Sequence, residues 1–203
     1  AGFAEARIGN LQECDCGATF VLGTGVGLAL TSNGSLISTW NLKDYLRWPN
    51  PEEPPTAPEQ KQFQREILKH GISSLVQNLG SAVNFVSQAS QLLQLSEEDG
   101  IQVFEALHAG HHEELQNLFI SYCREIAILI YNLQSLVRLE KVTIGGGISS
   151  QDLLLEEINH QYKSLMEESG EQRFSLVEIQ AARYHNSSNL LGAVCHFNIL
   201  ENH

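Results

Sequence analysis

The sequence predicts an α/β protein, with a mixed β-sheet in a three-layer lobe and a long helical insert. Three observations predict this. Near the start, short apolar runs are separated by the turn signals of antiparallel strands. The stretch 60–138 then carries helical periodicity alone. The last part alternates strand, helix, strand, helix, an order that calls for parallel pairing with helices laid over the sheet.

The elements follow in order. Phe3, Ala4 and Ile8 stand at helical spacing, and Gly9-Asn10 ends that helix. Residues 18–22 (Ala-Thr-Phe-Val-Leu) read as a buried strand and Leu28 to Thr31 as a second. Asn33-Gly34 is a hairpin signal, so Ser35 to Thr39 is a third strand. The five prolines all fall between Pro49 and Pro58, which makes 41–59 a proline-rich loop. Helices are expected near 60–79, 82–94, 98–109 and 112–138, with Ser96 and Asp99 as a capping box for the third. Leu118, Tyr122, Ile126, Ile130, Leu133 and Val137 form an apolar stripe that reads as core. Lys141 to Ile144 is a short strand, 151–166 a helix, Phe174 to Ile179 a strand, and Asn186 onward a last helix.

Composition narrows the function. The chain has 203 residues and a net charge of −12, with no basic stripe, which argues against nucleic acid as a partner. No apolar run is long enough to span a membrane, and no signal peptide opens the sequence. The four cysteines, Cys14, Cys16, Cys123 and Cys195, make no disulfide framework, so the expected setting is reducing and cytoplasmic. Cys14-x-Cys16 lacks further ligands at metal-site spacing and reads as small residues before a strand.

Two glycine turns carry the chemistry. Leu22-Gly-Thr-Gly-Val-Gly27 joins two strands in a tight reversal, where N–H groups are able to point at a phosphate. It fits neither the P-loop, which needs a lysine, nor the dinucleotide fingerprint, which should open a helix. Alone it reads more readily as an ordinary glycine-rich hairpin. Ile144-Gly-Gly-Gly-Ile-Ser149 lies between a strand and a helix, at the strand's carboxyl end, where open α/β sheets bind ligands. Three consecutive glycines carry an entropy cost that a plain turn would not require.

Together the two turns resemble the way actin-like sugar kinases bracket a nucleotide, and the chain is similar to the ROK family (repressor, open reading frame, kinase). Ala4-Glu5-Ala6-Arg7-Ile8-Gly9-Asn10 resembles the family's Ala-rich helix, and Leu22–Gly27 with Asn33-Gly34 its phosphate hairpin. Val142–Ser149 resembles its adenosine motif and Asn189-Leu-Leu-Gly-Ala193 its closing helix, so the resemblance covers nearly the whole chain.

The resemblance implies an actin-like ATPase or ribonuclease H-like lobe. The activity it implies is ATP-dependent phosphorylation of a sugar of glucokinase type, with Mg²⁺ bridging the phosphates; the alternative is a sugar-sensing regulator that does not phosphorylate, or a degenerate kinase. By resemblance Gly23, Thr24, Gly25 and Gly27 face the β- and γ-phosphates, and Gly145, Gly146, Gly147 and Ile148 lie against ribose and base. The implied partners are a sugar, the chain's own N-terminal lobe and a second copy. Residues 1–203 would be one C-terminal lobe: helix and phosphate hairpin at 1–40, loop at 41–59, insert at 60–138 and a βαβα half at 139–203. The family's catalytic aspartate would lie just before Ala1, leaving no catalytic base in this chain. The sequence departs from the family pattern twice more. Ser38 to Trp48 has no Glu-x-x-His for the sugar, and the family's zinc motif of three cysteines and a histidine is missing. His70, His108, His111 and His112 lie in or beside helices and inherit no sugar-binding role.

Overall fold

The structure is a computed structural model and describes residues 1–38, 40–47, 56–171, 173 and 175–201. Its centre is a five-stranded sheet of order β3-β2-β1-β4-β5, built from β1 (Gly17–Leu22), β2 (Val26–Ser32), β3 (Ser35–Leu36), β4 (Lys141–Gly146) and β5 (Glu178–Ala181). β1 pairs antiparallel with β2 and parallel with β4, and β4 pairs parallel with β5. This is the mixed sheet the element order predicts.

β1 is buried almost throughout, as are Val142 to Gly145 of β4, because helices cover both faces. On one face lie α1 (Gly2–Ile8) and α7 (Ser188–Glu201). The other carries α5 (Glu113–Leu136) and α6 (Asp152–Ser169), with α2 (Pro58–Gln77), α3 (Ala82–Leu92) and α4 (Gly100–Ala109) packed beyond them. Of the predicted stripe on α5, Tyr122, Ile126, Ile130 and Val137 are buried, and Leu118 and Leu133 pack against the same core. Phe85 stacks on Tyr122 with ring centroids 4.6 Å apart and meets Phe104 and Phe119 at 6.2 and 5.8 Å, which locks α3 and α4 onto α5.

Local chemistry explains where the elements stop. Asn33 and Gly34 both take positive φ, +44° and +80°, so the β2–β3 turn has the primed form that suits a twisted hairpin. β3 is shorter than the expected 35–39. Ile37 still donates to Leu30 at 2.9 Å, but the chain then turns at Ser38–Asn41 into a short 3-10 helix, Leu42–Tyr45, and Thr39 lies outside the described residues. The fifth strand begins later than Phe174, which is itself outside the described residues. Ser175 gives its carbonyl to the Gln134 amide at 2.7 Å and Val177 its N–H to the Tyr162 hydroxyl at 3.2 Å, so this segment is held by side chains instead of a ladder. Asp99, not Ser96, caps α4, accepting from the N–H groups of Ile101 and Gln102 at 2.8 and 3.3 Å. Residues 48–55 of the proline-rich loop lie outside the described residues. No helix among the described residues is long and apolar enough to cross a membrane.

Candidate nucleotide site at the carboxyl end of the sheet

The register of β1 on β4 places Leu22 opposite Gly146. The two glycine turns leave these residues at the same edge of the sheet, so segments more than a hundred residues apart in sequence form one surface. Parallel neighbours end together, and the carboxyl end of such strands is where ligands are received in α/β sheets. Just inside that edge the hydroxyls of Thr19 and Thr143, which the register sets opposite each other, meet at 2.9 Å, fully buried.

The first turn closes when Gly23 N–H donates to the Gly25 carbonyl at 3.0 Å. The N–H groups of Thr24 and Gly25 donate to no acceptor among the described residues, and Thr24 is exposed at the tip. In the second turn the Ser149 N–H and hydroxyl both donate to the Gly146 carbonyl, at 3.2 and 2.8 Å. The N–H groups of Gly147 and Ile148 likewise have no acceptor among the described residues. Unpaired amides gathered at one edge are what an anion or the polar edge of a base needs.

The glycines divide by cause. Gly146 is required by the fold. Its φ is +110°, and a Cβ there would lie 2.8 Å from the Leu22 carbonyl carbon and closer still to the oxygen. Gly23 and Gly147 are not required by it, since each has ordinary φ and a Cβ would meet nothing within 4 Å. Gly145 and Gly27 would make only ordinary contacts, with Ala182 at 3.5 Å and Val21 at 3.6 Å. Gly25 sits close to Asn78, with 3.2 Å to its Oδ1. Glycine at 23 and 147 therefore leaves room for something outside the chain, while Gly146 leaves room for the chain itself.

Behind the first turn stands a support that the sequence reading missed. Asn78 and Ser81, at the junction of α2 and α3, hold the Thr24 and Gly23 carbonyls. The available signal was the Asn-Leu-Gly-Ser break between two helical stretches, which periodicity reads only as a boundary. The other singled-out residues lie elsewhere. His70 binds Glu125 at 2.8 Å, and His108 bonds the Phe104 carbonyl at 2.7 Å, as interhelical and local contacts respectively. Cys14 and Cys16 are buried beside Glu140, at the opposite end of β1, and no group among the described residues is fit to hold a metal ion.

Comparison with known proteins decides the family. The ROK family profile matches residues 61–198, more than half of the chain. The chain belongs to the ROK family. Among curated relatives, a beta-glucoside kinase of Listeria monocytogenes is 25% identical over 202 residues, and one of Listeria innocua is 28% identical over 198. This chain spans about 60% of the length of these relatives, which cover 96% of it. A ROK family protein from Streptococcus pneumoniae, solved with sucrose, shares the fold with a TM-score of 0.68 at 22% identity, covering 99% of this chain and 63% of that one. A ROK family glucokinase from Streptomyces griseus, solved with glucose and AMPPNP, does so with a TM-score of 0.63 at 18% identity, covering 96% and 64%. The fold is that of these solved ROK family proteins.

Proposed function

We propose that this chain is the nucleotide-binding C-terminal lobe of an ATP-dependent sugar kinase. The observation that supports it best is the pairing of two glycine turns across β1 and β4, each with unpaired amides and each with one glycine that the fold does not need. In this reading Gly23, Thr24, Gly25 and Gly27 cradle the β- and γ-phosphates, and Gly145, Gly147 and Ile148 border ribose and base. Gly146 keeps the two turns together. The four unpaired amides suit an anionic ligand without any lysine, in keeping with the acidic chain. Mg²⁺ would be held through the phosphates and would neutralise charge as the phosphoryl group moves. The chain's own part is to fix the leaving diphosphate and exclude motion at the turns.

In this reading a further lobe supplies the base that takes the proton of the sugar hydroxyl. A hexose or glucoside is the substrate class suggested by the relatives' names, and the cytoplasm is the compartment. The protein pairs as a homodimer; sedimentation at high concentration showing only monomer removes that part of the proposal. One observation favours the regulator instead, namely that residues 38–48 carry no Glu-x-x-His for a sugar.

Calorimetric titration with ATP and Mg²⁺, with and without glucose, tests the proposal. Heat with ATP is the expected result. Sugar-dependent ADP production by the full-length protein then separates kinase from regulator, and ATP binding without turnover on any hexose or aminosugar leaves the regulator.

A further inference from the structure

We propose that Asn78 and Ser81, at the α2–α3 junction, are positioning residues that aim the amides of the first glycine turn at the phosphates. The inference rests on the nucleotide reading of that turn and goes beyond it, to residues in the helical insert.

The geometry is specific. Asn78 Nδ2 donates to the Thr24 carbonyl at 2.6 Å. The Gly23 carbonyl accepts from Ser81 Oγ and from the Val83 N–H, each at 3.3 Å. Two consecutive carbonyls of the turn are thereby drawn toward the helix junction. In a planar trans peptide the C=O and the following N–H point in opposite directions. Anchoring the Gly23 carbonyl therefore sends the Thr24 N–H away from the junction, and anchoring the Thr24 carbonyl sends the Gly25 N–H away too. These are the two amides of the turn that have no acceptor among the described residues. A short glycine-rich turn without this clamp would spread over many peptide orientations, and a ligand would have to select one.

The junction is itself firmly built. Asn78 ends α2 in the left-handed region, φ +58° and ψ +36°. Its N–H bonds the Leu75 carbonyl at 3.2 Å, while the Leu79 N–H bonds that of Ser74 at 3.0 Å, the paired bonds of a Schellman cap. Ser81 caps α3, accepting from the Asn84 N–H at 3.1 Å. Asn78 thus does two separable things. Its backbone ends a helix, which glycine does equally well, and its side chain holds Thr24, which glycine does not do.

That separation gives the experiment. Asn78→Gly in the full chain keeps the cap and removes the clamp. Calorimetric titration with Mg²⁺ and ATP, and separately with AMP, reads the effect. The expected result is ATP affinity lowered about fivefold to tenfold, the value of one well-aligned hydrogen bond, with AMP affinity unchanged, because AMP does not reach the hairpin. Asn78→Asp, which also tolerates the left-handed region but has no N–H to donate and adds a negative charge, should weaken ATP further and in a salt-dependent way. Ser81→Thr, which keeps the hydroxyl, should bind ATP as the unsubstituted chain does, and Ser81→Ala should not. Equal affinity for ATP before and after Asn78→Gly overturns the inference alone, as does an equal loss for ATP and AMP. A chain that takes no ATP before any substitution overturns the nucleotide reading, and this inference with it.

Discussion

At the scale of single residues, the two glycines of Gly146-Gly147 look alike in sequence and differ in physics. Gly146→Ala forces a side chain into the Leu22 carbonyl at a positive φ, and the expected cost is on the order of 3 kcal/mol, read as a lowered urea midpoint. Gly147→Ala meets open space, so its midpoint should not move, while its ATP affinity falls by about tenfold through overlap with the ligand. The reverse pattern, stability lost at 147 and kept at 146, would contradict the assignment. Cys14 and Cys16 make a second prediction at this scale. Burial pushes the Cys14 thiol up to about 12, aided by its bond and charge interaction with Glu140, and burial first, then Glu140, pushes Cys16 to about 11. Both folded values stand above the unfolded thiol near about 8.5. The stability they contribute is therefore whole below that pH and is lost as pH rises from there toward 11 and 12. Urea midpoints should hold steady from neutral pH to about 8 and fall beyond it, and the fall should shrink in a Cys14→Ser, Cys16→Ser variant.

At the scale of elements, the β1–β4 pair carries a buried Thr19–Thr143 hydroxyl contact in the strand interior. Thr19→Val or Thr143→Val alone strands one buried hydroxyl and should cost about 1–3 kcal/mol, whereas the double change should cost much less than the sum. A double-mutant cycle on urea midpoints measures this, and additive losses would show that the hydroxyls do not depend on each other. Most elements were legible in the sequence because their signals are local. Apolar spacing marked α5, Asn33-Gly34 marked the hairpin, and the return of strand–helix alternation marked β4 and α6. The misread boundaries have tertiary causes. The expected strand ran on from Phe174, but Gln134 and Tyr162, on two helices, take the Ser175 carbonyl and the Val177 N–H that a ladder would need. Ser96 has a capping residue's chemistry, but Asp99, three residues later, does the capping and accepts from two amides.

At the scale of the whole molecule, the sequence showed each half of the site but not how the halves meet. Motifs at 22–27 and 144–149 were readable as glycine turns; only the sheet order β3-β2-β1-β4-β5 sets them edge to edge. Asn78 escaped notice because its side-chain role depends on α2 ending against a hairpin some fifty residues earlier. A ligand bound across both turns bridges the opening hairpin, the helical insert and the closing βαβα half, so it should raise the stability of the whole chain and not that of one part. Saturation at a hundred times the dissociation constant contributes about 2.7 kcal/mol, which for a chain of this size is a rise in thermal midpoint of about 5–10 °C. Scanning calorimetry with and without ATP and Mg²⁺ measures it. The Thr19→Val, Thr143→Val double variant should keep the shift, because it alters the strand interior and leaves the turns intact. Gly147→Ala, bound about tenfold more weakly, should lose about half of it at the same ligand concentration while starting from the same midpoint. A shift of the same size in Gly147→Ala would mean that the nucleotide binds away from the paired turns, and the site would have to be sought on another face of the lobe.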